Sequence, residues 1–319
     1  MQEKVIIFGG LGFIGSNLAK YYSRLGHKTT IVDGLLPGSG GNMKNINDVH
    51  NVYVIEKRIE VVANLSDVLN EYDIIIDTMG WTSHRDALQY PMKDVELNLV
   101  SHLQLIMALN GLKNKKVVYL GSRGQYGLVS DDMIKESDPM KPVDVQGIDK
   151  AAAESFFRIY SKIFKFDVIS FRFSNCFGRN QKVFSDDIGL IAGFIRYSLA
   201  GKTIVVYGEE RKRSILYIDD LIRIIYQASL QKYKGFIPIN INGISIKILE
   251  LAQKIVNITK KGRVVVKKIP SDIEKIDVGN APMDETQLQK LIGKIEYSDL
   301  DLSLTETINY IKSAYDMAM

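Results

Sequence analysis

The chain of 319 residues is 46% hydrophobic and 24% charged, with a formal net charge of +4, and it is long enough for one large or two unequal domains. No apolar run approaches the roughly 20 residues of a bilayer span, so the chain reads as soluble, and a small excess of dispersed lysines gives little support for nucleic-acid binding. A single cysteine, Cys176, leaves no internal disulfide, and His27, His50, His84 and His102 fit no zinc spacing, so a reducing cytoplasm and no metal are expected.

In chain order, "KVIIFGG" (4–10) is a short apolar run that ends in glycine rather than in a cleavage site, so no signal peptide is expected. "FIGSNLAKYYSRLG" (13–26) has helical spacing, and "KTTIVDG" (28–34) is a second β-branched run, which together predict a βαβ unit. Further strand-like runs at 52–55, 73–80, 115–122 and 166–175 alternate with helical stretches around 61–71, 95–112 and 147–165. Such alternation predicts an α/β fold, a Rossmann-type doubly wound parallel sheet covered on both faces. After Gly178 the rhythm loosens into a helical stretch at 187–199, a short strand at 203–206 and the charged turn "GEERKR". The expected division is a nucleotide-binding domain over 1–178 and a smaller α/β substrate-binding domain over 179–319, partly interleaved with the first.

The first chemical motif is Gly9-Gly-Leu-Gly12-Phe13-Ile14-Gly15, set between the first strand and its helix. Glycines there allow a tight turn and let the backbone approach a pyrophosphate at the positive helix N-terminus. A glycine triplet alone is weak evidence, but Asp33 closes the second strand 24 residues after Gly9, and the combination is strong. Asp33 would accept hydrogen bonds from the adenosine ribose and repel a 2'-phosphate, which favours NAD over NADP.

With these residues the chain resembles the extended short-chain dehydrogenase/reductases, specifically the nucleotide-sugar epimerases and dehydratases. The resemblance runs almost end to end. It is carried by "GGLGFIG", by Asn98 after "YPMKDVEL", by "YLGSRGQYG" (119–127), "PVDVQGIDKAAAE" (142–154), "RFSNCFG" (172–178) and "RSILYIDD" (213–220). It implies that Ser122 hydrogen-bonds the sugar hydroxyl being oxidised, that Lys150 orients the nicotinamide ribose, and that Asn175 and Arg213 hold the substrate diphosphate. Arg58-Ile59 stands where the family has an acidic-hydrophobic pair near the adenine. A homodimer or higher homo-oligomer built on the helices at 95–112 and 147–165 is also implied.

One departure governs the chemistry. The position of the family's catalytic tyrosine is Gln146, and an amide is no general base at neutral pH. Three readings compete: hydride chemistry with Ser122 and Gln146 positioning the hydroxyl while another group or a water takes the proton; a non-catalytic NAD and nucleotide-sugar binding protein; or a different acid/base, with His84, Asp86 and Tyr126 as candidates. Arg123 and Gly124 stand where dehydratases place acids, which argues against water elimination and makes Arg123 a candidate donor to the sugar or its phosphate. The resulting expectation is NAD-dependent oxidation of a nucleotide-activated hexose or heptose, at C4, in bacterial-type polysaccharide biosynthesis. The subgroup lacking the tyrosine would accommodate a GDP-heptose 4-dehydrogenase, and a nucleotide-sugar 4-epimerase is the alternative.

Overall fold

The structure, a computed structural model, describes residues 2–129, 133–183, 188–270 and 279–316. Its centre is a seven-stranded sheet formed by β1 (Lys4–Phe8), β2 (Lys28–Val32), β3 (Val52–Ile55), β4 (Ile74–Asp77), β5 (Lys116–Leu120), β6 (Asp167–Phe173) and β10 (Phe236–Ile241). The spatial order is β3-β2-β1-β4-β5-β6-β10, and every pairing is parallel. The order reverses between β1 and β4, which opens a crevice at the carboxyl ends of those strands.

Alternation along the strands explains why both faces are covered. Val5, Ile7, Ile31, Ile74, Ile76 and Val118 join one core, and Ile6, Phe8, Val32, Ile75, Val117 and Tyr119 join the other. Helix α1 (Phe13–Arg24) covers the first face. On the second lie α2 (Leu65–Asn70), α5 (Ser101–Ala108) and the long α6 (Val145–Phe164). Between β4 and α5 run two short helices, α3 (His84–Gln89) and α4 (Pro91–Val95), followed by a π turn at Glu96–Val100. The helical stretch read at 95–112 is therefore interrupted, and the wider turn carries Asn98.

Beyond β7 (Cys176–Phe177) and α7 (Leu190–Leu199), the strands β8 (Thr203–Tyr207), β9 (Lys212–Tyr217), β11 (Ile244–Lys247) and β12 (Arg263–Lys267) form two small sheets, β11-β9-β7 and β12-β8. The turn read at "GEERKR" thus ends inside a strand, because Lys212 and Arg213 already pair with Lys247 and Ile246 of β11. Helix α8 (Ile218–Ser229) then returns to α1, and β10 closes the large sheet beside β6. No single cut in the sequence separates the two bodies. Helix α9 (Ile248–Thr259) belongs to the smaller one, and a C-terminal helix, Leu300–Asp316, packs against α7 and α9. Among the described residues, no helix is long and apolar enough to cross a membrane.

Candidate functional site

A cavity of about 570 Å³ opens at the carboxyl ends of β1, β4, β5 and β6. Its cofactor half is built from backbone. Gly9 has φ +71°, and a Cβ there would meet the Thr78 carbonyl oxygen at 3.0 Å, while a Cβ on Gly15 would lie 2.4 Å from the Gly9 carbonyl oxygen. The turn and α1 are packed too closely for side chains. Gly12 caps α1 with no side-chain hydrogen bond, and Gly12, Phe13, Ile14 and Gly15 line the cavity. The amides of that first turn have no intrahelical acceptor, so the geometry suits a pyrophosphate. Asp33 accepts hydrogen bonds from the amides of Leu11 (2.9 Å) and Leu35 (2.8 Å). Burial raises its pKa, and the two amides oppose the shift. Ile59 closes this end, and Arg58 reaches over Gly34 with its guanidinium tied to Glu60 (3.0 Å) and Glu96 (2.7 Å).

The reactive end is built from side chains. Lys150 Nζ donates to the carbonyl oxygens of Leu120 (3.0 Å) and Met79 (3.2 Å), at the ends of β5 and β4. Loss of hydration pushes this amine down to about 8, against the upward pull of Asp77 and Asp94. Gln146, one helical turn before it, donates from Nε2 to the carbonyl oxygen of Trp81 (3.1 Å). The same residue is clamped by Asn98, which accepts from the Trp81 amide (2.7 Å) and donates to its carbonyl (2.9 Å). Ser122 sits at the N-cap of a short 3-10 turn, Arg123–Tyr126, where its Oγ accepts from the Gly124 amide at 3.0 Å. Its hydroxyl proton therefore remains available to a ligand in the cavity that it lines.

At the substrate end the cavity is lined by Arg123, Asn175 and Arg213, and at its rim by His84. Arg123 is 6% exposed and donates to the Gly127 carbonyl (3.2 Å). Asn175 has φ +21° and donates to the Ser214 carbonyl (3.0 Å), and Arg213 donates to the carbonyls of Lys212 (2.7 Å) and Gly279 (3.2 Å). His84, whose side chain is 61% exposed, has Nδ1 3.8 Å from Asp144 Oδ2. All but two of the residues read from the sequence as cofactor, catalytic or substrate contacts thus face one cavity.

Tyr126 is the first exception. It is 1% exposed, donates to Asn240 Oδ1 (2.7 Å) and accepts from Arg172 Nη1 (2.6 Å), away from the cavity lining. Burial pushes its hydroxyl up to about 12, so the reading of Tyr126 as an acid/base is corrected. Its partners come from β6 and β10, which no local spacing reveals. Asp86 likewise lies outside the lining, on α3. The sequence reading missed Trp81 and the buried carboxyls Asp94 and Asp149, 2% and 3% exposed, whose proximity favours the protonated form of Asp149. The only signal for Trp81 is its place just past a strand end.

The family model for the NAD dependent epimerase/dehydratase family matches residues 5–242. The chain belongs to that family. It is 26% identical over 325 residues to a UDP-N-acetyl-alpha-D-glucosaminuronate decarboxylase of Bacillus cytotoxicus, with 98% of both chains covered. Among solved structures, the UDP-N-acetylglucosamine 4-epimerase of Methanobrevibacter ruminantium M1, in complex with UDP-N-acetylmuramic acid, superposes with a TM-score of 0.88 at 25% identity, covering 98% of this chain and 99% of the other. The UDP-glucose 4-epimerase of Thermus thermophilus, in complex with NAD, has the same fold, with a TM-score of 0.84 at 20% identity and coverage of 98% and 99%. The chain is accordingly an NAD-dependent enzyme. The glycine cradle, the uncapped helix N-terminus and Asp33 fit that cofactor, which when bound supplies the hydride acceptor.

Proposed function

We propose that the enzyme oxidises a nucleotide-activated hexose or heptose at C4, with Ser122 and Gln146 positioning the hydroxyl, and releases the 4-keto sugar. Gly9 to Gly15, Asp33, Ile59 and Lys150 hold NAD; Arg123, Asn175 and Arg213 face the nucleotide diphosphate and sugar. The observation that carries this reading is the side chain at 146. A glutamine whose Nε2 is committed to the Trp81 carbonyl cannot shuttle a proton in both directions, and an epimerase needs that traffic twice per turnover. Relatives that act on nucleotide sugars support the substrate class. The second reading, a 4-epimerase, is favoured by the near-complete superposition on one.

The test is the NADH absorbance band of the NAD-loaded protein during titration with UDP-glucose, GDP-mannose, CDP-glucose and dTDP-glucose. Growth of the band with one sugar, and a carbonyl-bearing product, supports the dehydrogenase. Interconversion of two C4 epimers without net keto product overturns it in favour of the epimerase. Binding of cofactor and sugar with neither outcome leaves a non-catalytic binding protein. A band that grows with a GDP-heptose and with none of the four hexoses would place the enzyme in bacterial capsule-type biosynthesis.

The partner proposed is a second copy of the chain. On α6, Ile148, Ile159 and Ile163 are exposed and lie on one stripe, as do Val100 and Met107 on the neighbouring helix. Two such faces together bury a four-helix contact. Ile159→Asp should convert the dimer seen by light scattering to a monomer; a wild-type protein that scatters as a monomer rejects the proposal.

A further inference from the structure

We infer that Lys150 is itself the base of this reaction, its Nζ taking the proton of the sugar hydroxyl where the family's tyrosine would have taken it. The inference rests on the hydride-transfer reading above. It follows first from the bonds that Lys150 makes. Two of the three hydrogen directions of Nζ are occupied by the carbonyls of Met79 and Leu120, and the remaining one is left for the cavity that Lys150 lines with Ser122 and Gln146. As an ammonium, the group presents an N–H there. As an amine, it keeps both N–H groups on the carbonyls and presents its lone pair instead. Loss of one proton thus turns a donor into an acceptor with no movement of the side chain.

The surroundings allow that loss. Among the described residues no carboxylate lies within ion-pair distance of Lys150 Nζ. Asp77 on β4 is hydrogen-bonded to His102 Nδ1 of α5 at 2.6 Å, both side chains fully buried. The Tyr119 ring of β5 lies beneath Nζ at 5.1 Å, and Asp94 of α4, close enough to Asp149 of α6 to disfavour its ionisation, acts on Lys150 only through its charge. The amine is already drawn down to about 8 by burial, and the positive charge of an oxidised nicotinamide would lower it further by repulsion. The other candidates stand apart: His84 is at the exposed rim and Tyr126 is outside the cavity. With a glutamine at 146, no phenol intervenes between Lys150 and the sugar. The step balances as follows. The hydroxyl O–H bond breaks and its proton goes to Nζ. The C–H bond of the same carbon breaks and its hydride goes to the oxidised nicotinamide, so the alcohol becomes a carbonyl and the amine an ammonium.

The test compares wild type, Lys150→Arg and Lys150→Met in single turnovers with NAD and the four nucleotide sugars above, from about pH 6 to about pH 10. Binding is followed separately through Trp81, the only tryptophan in the chain. Arginine keeps the charge and the donors but holds its proton across this range. Expected are a wild-type rate that rises with pH through a midpoint at or below about 8, and a Lys150→Arg variant that still binds both ligands but reduces at least ~100-fold more slowly, with no such limb. Added methylamine should restore Lys150→Met in proportion to its unprotonated fraction. A Lys150→Arg rate within about tenfold of wild type, with the limb intact, overturns the assignment. Carbon-13 spectra of lysine-labelled apo-protein give a readout that needs no turnover. The signal absent from Lys150→Arg should titrate well below the surface lysines, and titration among them near about 10.4 overturns the assignment. A wild type that binds sugar without a band at any pH sinks the hydride-transfer reading instead, while the lysine titration still decides whether the amine is poised.

Discussion

Two buried polar clusters flank β5, and they differ in how completely they are paired. Around Glu154 and Arg172 the partners are complete. Glu154 Oε2 accepts from Gln125 Nε2 (2.8 Å), Ser170 Oγ (2.8 Å) and Arg172 Nε (3.0 Å), and its Oε1 accepts from Arg172 Nη2. Arg172 also reaches Tyr126 and the Glu136 carbonyl (3.1 Å). On the other side, around Lys150, the Nε2 of His102, the indole N–H of Trp81, both carboxyl oxygens of Asp94 and Oδ2 of Asp149 lack a hydrogen-bond partner among the described residues. A saturated cluster holds shape, whereas an unsaturated one beside a cavity retains capacity for protons or ligands. The saturated cluster nevertheless serves the site, because Gln125 Oε1 accepts from the Ser122 amide at 2.7 Å and so fixes the turn that carries Ser122.

The largest effect expected is from breaking the saturated cluster. Glu154→Ala leaves a buried guanidinium uncompensated and should destabilise the fold by about 3–5 kcal/mol in urea unfolding. The double variant Glu154→Leu with Arg172→Met should lose clearly less than the sum of the single changes. Additive losses would show that the pair is not coupled. Next in size is the contrast between Lys150 and Ser122. Lys150→Ala leaves the Met79 and Leu120 carbonyls at the ends of β4 and β5 without their donor beside the cofactor cavity, a loss of roughly 1–3 kcal/mol, so NAD binding should weaken by about 10- to 100-fold, while Ser122→Ala leaves it within about twofold and lowers turnover instead. Equal loss in both variants, measured by Trp81 fluorescence, would contradict the division of roles.

The unsaturated side should also show itself in stability against pH. Asp149 is raised to about 7, first by burial and then by the proximity of Asp94. A carboxyl that holds its proton more tightly folded than unfolded adds nothing adverse below the unfolded value of about 3.9; stability is lost as pH climbs from there to about 7, and the loss is complete above. Asp149→Asn removes that dependence. Its advantage over wild type should therefore grow from pH 4 to pH 7 and reach on the order of 2 kcal/mol, a few degrees in thermal midpoint. A difference that stays flat across this window would show that Asp149 does not hold its proton.

How much of this was legible in sequence follows from the range of the forces involved. The glycine cradle and Asp33 were readable because a backbone turn against a helix end imposes its residues locally. Lys150 and Gln146 were readable from a resemblance over one helix. Tyr126 was misread because its partners, Arg172 and Asn240, are 46 and 114 residues away, and only the closed sheet brings them together. The same holds for β10, whose place beside β6 depends on a return through α8 that no local pattern announces. Trp81 and Asn98 could not be joined from sequence either, since the π turn that aims Asn98 at Trp81 is an interruption of an otherwise ordinary helical stretch.

The smallest expected effect tests whether the unsaturated cluster awaits a ligand. Trp81 is 9% exposed, its indole N–H has no partner among the described residues, and Lys93 Nζ lies 4.4 Å from its ring centroid. In Trp81→Phe the orphan donor disappears, which should relieve about 1–3 kcal/mol of unsatisfied burial. Against this stand a weaker cation–π contact, roughly 0.5–1 kcal/mol for an exposed lysine, and the packing lost against Gly38, whose Cα would carry a Cβ only 3.0 Å from the indole edge. These terms nearly cancel, so the apo-protein should change by no more than about 1 kcal/mol. If the N–H serves NAD or sugar, calorimetry should show binding weakened by several-fold in the same variant, because the hydrogen bond is made only in the complex. A large loss of apo stability with unchanged ligand affinity would instead make Trp81 a packing residue and shift the function of the unsaturated cluster onto Lys150 alone.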